Sequence, residues 1–425
     1  MRDNVLVPIK LGVVSTIRKP LQFQTWLDHH RGIASRFYIV ATEGDDIRAP
    51  DVVVDYRPDK PFAYDFWNVQ EANVNKCIER AKGDGITHLI HIDDDELIHV
   101  PDPSGFLKEL QSTSDACLIM KNLEGRLHSL EVSNPFDECI FFTNTNYKSY
   151  VNGKSIGNLT AGARAAGAHR FVSDEGGETV LKTATILHYE GLSKQRYFEK
   201  MKRYRARGGA AQCDAGTIPF ESYCTAIRSS SAVDMDAAWV ASHLASSADC
   251  LRCIHRRFKT SVCLVGNGPS AIDKGQFIDA CDSVVRFNEF VLANNVGAKC
   301  DVWCVSDHVA HTTDAWKAHD HPLIIVSNSI YARDDFPNSC ATVYDARREF
   351  TTTGAGWMST GALALNYMLR TQPDALLVLV GFDHFQSKLH HYDDEVIGPL
   401  QHDCLREREF VERIIAESAG RVFRL

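Results

Sequence analysis

No stretch of the 425-residue sequence supplies the roughly 18 consecutive apolar residues of a membrane-spanning helix. The first residues, Met1-Arg2-Asp3-Asn4 and then Val5-Leu6-Val7-Pro8, lack the apolar core and cleavage pattern of a signal peptide. Positive charge is not in excess: 46 Lys and Arg stand against 55 Asp and Glu, a net charge of −9, so nothing electrostatic points to nucleic acid as a partner. The 13 cysteines are odd in number and scattered, which argues against a disulfide framework and for a reducing compartment. Cys250 and Cys253, with His255 beside them, lack the second pair that a structural zinc would want. Internal repeats and low-complexity tracts are missing too. These absences together lead to the expectation of a cytoplasmic globular chain without a membrane span.

What is present suits two domains, since a chain this long exceeds the size at which one core stops growing. The seam lies in small, polar residues at Arg228–Ser231 and Ser242–Asp249, around a short helix near Met235–Val240. The expected division is a first domain over 1–228, a linker over 229–258 and a second domain over 259–425. The first half alternates strand signals (Leu11–Ser15, Phe37–Ala41, Val52–Asp55, His88–Ile92) with helical ones (Leu21–His30, Val69–Ala81). On the second helix Val69, Ala72, Cys77, Ile78 and Ala81 fall near one face. In the second half the strands are Val262–Val265, Val284–Phe287, Val302–Val305, Leu323–Val326 and Leu376–Val380. Helices are expected there at Ser270–Ala280, Gly361–Leu369 and Leu405–Glu417. Such alternation implies an α/β fold in each half, with ligands at the carboxyl ends of the strands.

His88-Leu89-Ile90-His91-Ile92 runs directly into Asp93-Asp94-Asp95-Glu96. Adjacent carboxylates repel one another, and Asp93 and Asp95 suit a hard divalent ion that also grips a diphosphate. A solvated acidic turn would carry the same residues. Over roughly residues 10–205 the chain resembles the GT-A fold glycosyltransferases, in particular the family-two-like and family-ninety-two-like enzymes. The residues behind the resemblance are Trp26, His29-His30 and Gly32, then Ile92 to Ile98 around the acidic run. They continue with Gly153-Lys154-Ser155-Ile156, His169 and Ile186-Leu187-His188-Tyr189. The resemblance implies a manganese or magnesium ion on Asp93 and Asp95, completed by His188, and a UDP- or GDP-sugar donor. A plain core histidine is the other reading of His188. Arg18 is a candidate nucleotide contact, and Asp174 and Glu175 are candidates for the base by type alone.

In the second half Val265-Gly266-Asn267-Gly268-Pro269-Ser270 follows a strand and is read as opening a helix. Glycines let a backbone approach a ligand, and a helix start offers free N–H groups to phosphate; a tight strand-to-helix connection would look alike. Further on come Asp282 to Asn288, Val296-Gly297-Ala298-Lys299, Ser359 to Leu365, Val378 to Asp383, His390-His391-Tyr392, and His402 with Glu407. In this order, over roughly 261–425, they resemble the large, small, third and very small sialyl motifs of the sialyltransferase family. The resemblance implies two Rossmann-like nucleotide-sugar domains in the whole chain, GT-A-like and then sialyltransferase-like. It places Gly266, Asn267, Gly268, Asn288, Ser359, Thr360 and Gly361 on the nucleotide. His391 would steady the departing phosphate, His402 would be the general base, and Glu407 completes the catalytic set; this half would use no metal. Cys263 matches one partner of the family's disulfide, but Gln372-Pro373 fall at the other, so that bridge is not expected.

The reading that follows is a bifunctional glycosyltransferase. A metal-dependent NDP-sugar half precedes an inverting CMP-sialic acid or CMP-Kdo half, and both act on a glycan acceptor. The alternatives are one catalytic half with the other as acceptor-binding module, or a non-catalytic carbohydrate-binding protein.

Overall fold

The computed structural model describes residues 8–17, 20, 22–42, 47–57, 66–127, 134–143, 154–167, 170–174, 176–189, 193–206, 221–243, 251–313, 322–327, 341–346, 358–384 and 402–425. Arg18, Gly153, His169, Glu175, Cys250 and the run His390–Glu395, with His391, fall outside them. The chain divides into two compact units, Met1–Asp249 and Cys250–Leu425. No helix among the described residues is long and apolar enough to cross a membrane.

In the first unit β1 (Leu11–Thr16), α1 (Phe23–Arg31), β2 (Arg36–Thr42), β3 (Val52–Arg57), α2 (Phe66–Gly83) and β4 (His88–His91) follow in sequence. The strands lie parallel in the order β3-β2-β1-β4. The chain therefore grows from β1 toward β3 and returns to the other side of β1, which makes the β1/β4 boundary a topological switch point. β5 (Glu96–His99), α3 (Pro103–Ser112), β6 (Cys117–Arg126), α4 (Pro135–Glu138), β7 (Phe141–Thr143) and β8 (Ser155–Asn158) extend the sheet. β8 runs antiparallel to β4 and to β6. The hairpin of β9 (Arg164–Ala166) and β10 (Arg170–Val172) precedes β11 (Glu178–His188), which pairs parallel with β6 and antiparallel with β5.

On α2 the buried apolar residues Val74, Cys77, Ile78 and Ala81, spaced i, i+3, i+4 and i+7, pack with Val14, Tyr38, Val40 and Leu89. Cys77, Ile78 and Ala81 of the expected face are buried, whereas Val69 and Ala72 are exposed. After α5 (Lys194–Ala206) come helices Glu221–Arg228 and Ala232–His243. The latter lies in the stretch read as a linker, yet its Trp239 is 2% exposed and its His243 Nδ1 bonds back to the Trp239 carbonyl at 2.9 Å.

In the second unit β12 (Leu251–Cys253) leads to β13 (Thr260–Val265), β14 (Ser283–Phe287), β15 (Val302–Ser306), β16 (Leu323–Ser327), β17 (Ala341–Asp345), β18 (Ala375–Val380) and β19 (Val422–Arg424). A seven-stranded sheet of order β17-β16-β15-β14-β13-β18-β19 is parallel throughout. Sheets of this kind are covered on both faces, which explains the unbroken apolar runs in β13 and β18. Helix Thr360–Thr371 buries Ala362, Leu363, Leu365 and Met368 against Leu264, Leu377 and Leu379. Here growth away from β13 reverses at β18, so the β13/β18 boundary is this unit's switch point.

The expected helix over Ser270–Ala280 is not formed. A single 3₁₀ turn at Pro269–Ala271 is followed by Asp273 at φ 63°, a left-handed residue that cannot continue a helix. Only the short helix Gly275–Asp279 remains. A second departure concerns Arg286: fully buried, it donates to the carbonyls of Val296, Gly297 and Lys299, tying two motif segments together as structure.

Candidate functional site

At the switch point of the first unit, β4 ends at His91 and the chain turns through Ile92, Asp93, Asp94 and Asp95 into β5. Trp26 donates its indole N–H to the Asp93 carbonyl at 3.1 Å, and Tyr189 N–H reaches the Asp95 carbonyl at 2.8 Å. His30, wholly buried, donates from Nδ1 to the Trp26 carbonyl and accepts the Ile98 N–H on Nε2. His29 meets the Ile98 carbonyl at 2.7 Å. The residues Trp26, His29 and His30 thus brace the acidic turn from α1.

The four carboxyls do not share one environment. Lys154 Nζ, on a side chain 1% exposed, lies 2.8 Å from Asp93 Oδ2 and 3.8 Å from Glu96 Oε2. Burial pulls the Lys154 ammonium down, but Asp93 and Glu96 outweigh it and hold its pKa above the ordinary value. Arg196 pairs with Asp94 at 2.6 Å. Burial raises Asp94 to about 6 against the pull of Arg196, and raises Glu96 to about 7 against that of Lys154. Glu96 also accepts the Asp93 N–H at 2.7 Å.

Asp95 is paired differently. His188, at the end of β11 opposite Glu96, holds Nδ1 on Glu124 at 2.9 Å and turns Nε2 toward Asp95 Oδ1 at 3.9 Å. Glu124 is fixed in turn by the Asn122 amide at 2.5 Å. A carboxylate on one imidazole nitrogen is the usual support of a histidine that ligates a metal through the other. Two donor atoms 3.9 Å apart can reach one ion at bond lengths of about 2.1 Å. Asp95 and His188 thus offer two donors that can meet at one point, a partial set for a divalent cation. The expected trio is not assembled: Asp93 is held by Lys154, and no group of three His, Cys, Asp or Glu among the described residues is placed to hold a metal. Asp174 is exposed and pairs with Arg164 at 3.5 Å rather than with a residue of the cluster.

In the second unit the carboxyl ends of β13, β14 and β18 bring the expected residues together. Gly266 and Gly268 lie against the Gly381 turn; a Cβ on either would stand 2.4 Å from the Gly381 carbonyl or the Asp383 carboxylate. Gly268 N–H donates to the Gly381 carbonyl at 3.0 Å, and Ser270 binds Asp383 through both its N–H and its hydroxyl. The glycines are thus required by their own chain's close approach. Asn267 donates to the carbonyls of Phe287 and Glu289, while its Oδ1 is buried without a partner among the described residues. Asn288, at φ 47°, accepts the Ser306 N–H and donates to Thr360, so both ends of its amide are engaged.

Ser359 caps helix Thr360–Thr371 by accepting the Ala362 N–H at 3.3 Å. No α-helix opens directly at Gly268, so among the expected nucleotide-binding residues the capped helix start is that of Thr360–Thr371. Gly361 gives room to the Phe382 ring, 3.3 Å from where a Cβ would be. Glu407, 3% exposed, accepts the Ser359 N–H at 2.7 Å and stands 3.4 Å from Nδ1 of the buried His384. His402 precedes Asp403, the cap of helix Cys404–Glu417.

Lys154, Glu124, Arg196 and His384 were not singled out as site residues from sequence. Lys154 stood within a quoted motif, and a lysine next to a glycine in an acidic-site protein was the one available signal.

No family model matches the chain. It is similar to two glycosyltransferase-like proteins of Arabidopsis thaliana. One is 28% identical over 162 residues, covering 31% of this chain and 35% of the relative, and the other is 29% identical over 161 residues, covering 31% of each. The chain thus spans about a third of the length of these curated relatives. Among solved structures, S. aureus TarS (residues 1-349) is 10% identical with a TM-score of 0.25 over 52% of this chain and 70% of that one. The glycosyltransferase GlyE of Streptococcus pneumoniae TIGR4 is 10% identical with a TM-score of 0.19 over 79% and 95%. Scores this low carry no argument about the fold. Both plant relatives are described as glycosyltransferase-like.

Proposed function

We propose that the chain is a bifunctional glycosyltransferase whose first unit uses a divalent ion and a UDP- or GDP-sugar. The observation behind this is the Glu124–His188–Asp95 arrangement at the β1/β4 switch point. Asp95 and His188 would hold manganese or magnesium, which when bound neutralises a diphosphate leaving group. Lys154 keeps Asp93 oriented, Arg196 keeps Asp94 turned aside, and Glu124 keeps the His188 tautomer that leaves Nε2 toward Asp95.

The second unit, by its resemblance, takes a CMP-sugar, CMP-sialic acid or CMP-Kdo, without metal. Ser359, Thr360 and Gly361 would meet the phosphate at a helix start, and Asn267 Oδ1 would accept from the nucleotide. His402 would take the acceptor hydroxyl's proton as its oxygen bonds to the anomeric carbon. The bond to phosphate breaks with its electron pair leaving on CMP, steadied by His391. One observation favours the alternative of a binding-only second unit: Gly266 and Gly268 are filled by the chain itself.

The test is isothermal titration of the whole chain with UDP, GDP and CMP, with manganese and with EDTA. The expected result is metal-dependent UDP or GDP binding alongside metal-independent CMP binding. Loss of all three with EDTA, or no binding of CMP, would sink the two-site reading.

A further inference from the structure

His384 closes the run Gly381-Phe382-Asp383-His384 after β18 with a left-handed backbone, φ 50°. Side chains other than glycine are uncommon in that region, histidine less so than most. Its imidazole is 4% exposed, and neither ring nitrogen has a hydrogen-bond partner among the described residues. A leucine or phenyl ring would fill the space without burying two unpaired polar atoms, so packing alone does not account for an imidazole here. Among the described residues it stands beside Glu407, whose Oε1 is 3.4 Å from Nδ1 and whose Oε2 accepts the Ser359 N–H. Ser359 caps the helix whose first turn carries Thr360 and Gly361.

We infer that His384 is a positioning residue of the second unit, acting through Glu407 on the Ser359 helix start. Standing against one carboxylate oxygen, it keeps the other on the Ser359 N–H and so fixes the turn that faces a phosphate. The phosphate itself rests on the nucleotide reading proposed above; the contact series His384–Glu407–Ser359 does not.

The test uses the full chain with His384→Leu and His384→Asn. Asparagine tolerates the left-handed backbone and keeps a donor, so it is the rescuing variant. Amide hydrogen exchange at Ser359 to Ala362 should quicken roughly tenfold in His384→Leu, with the β18 amides unchanged, and stay within about threefold of wild type in His384→Asn. CMP affinity should follow the same order, falling roughly tenfold only with leucine, the size of one lost hydrogen bond. Equal exchange in all three proteins would overturn the inference. Should the leucine variant fail to fold, the ¹⁵N imidazole spectrum of the wild type decides: an Nδ1–H tautomer is expected, and an Nε2–H tautomer overturns it. A wild type that ignores CMP would count against the proposed function, while exchange and tautomer still judge His384.

Discussion

Lys154 Nζ and Asp93 Oδ2, 61 residues apart in sequence, meet at 2.8 Å at the end of β4, with the lysine 1% exposed. An acidic turn with a built-in cation differs from one that waits wholly for a metal. Part of its charge is already balanced, and Asp95 is left facing His188. Removing the lysine leaves Asp93 and Glu96 uncompensated. Lys154→Met should destabilise the chain by about 3–5 kcal/mol, the usual cost of breaking a buried pair from one side. Urea melts check this; a change under about 1 kcal/mol would mean that solvent screens the pair.

Glu124 holds His188 Nδ1 at 2.9 Å, which on the proposed metal reading makes it a support and not a ligand. Glu124→Gln should lower manganese affinity roughly 10–100-fold while the melting temperature stays close to wild type. Titration with manganese alone is the measurement. Undiminished affinity would separate Glu124 from the metal.

His88, in β4, is lowered to about 4 by burial, below its ordinary 6.5. The unfolded chain binds a proton between those values and the folded chain does not, so stability rises with pH across that window. On acidification from about 6.5 to about 4 this group removes on the order of 3 kcal/mol. His30, pushed well below its ordinary value by burial, acts in the same direction. His88→Gln should lessen the rise of the urea midpoint with pH between those limits, leaving the share of His30 and His91; an unchanged slope would put the acid sensitivity elsewhere.

Gly268→Ala forces a Cβ within 2.4 Å of the Asp383 carboxylate and 2.7 Å of the Gly381 carbonyl. A cost of about 1–3 kcal/mol is expected, with CMP affinity falling in step as the loops part. A folded variant with wild-type stability would show that Asp383 swings away freely.

His402→Ala should keep CMP affinity and lose transfer by roughly 10²–10⁴-fold. It should leave metal-linked nucleotide binding unchanged. Near wild-type transfer by the well-folded variant would make His402 ordinary surface.

The strands were legible because buried parallel strands are written as short continuous apolar runs: Val262–Val265 and Leu376–Val380 lie within β13 and β18. A Gly-rich turn after a strand suggests a helix over Ser270–Ala280, but the left-handed backbone of Asp273 is not written in residue types and leaves only Gly275–Asp279 helical. Asp95 and His188 were legible as residue types. Their partners were not, because Glu124 lies 64 residues from His188 and Arg196 lies 102 from Asp94. Pairings of that range are fixed by sheet register, which a single sequence leaves open.

The register of β13 with β18, Thr260 opposite Ala375 through Val265 opposite Val380, has a consequence for how the second unit comes into being. The interior strand β13 is completed on one edge by a neighbour more than a hundred residues later in the chain. During synthesis β13 can pair with β14 at once, but its other edge stays bare until β18 emerges. Non-local closures of this kind are slow and leave an apolar strand open to wrong partners meanwhile. Fragments ending before residue 375 should therefore aggregate rather than populate a partial sheet, and a chaperone that shields strand edges would raise the yield of the whole chain.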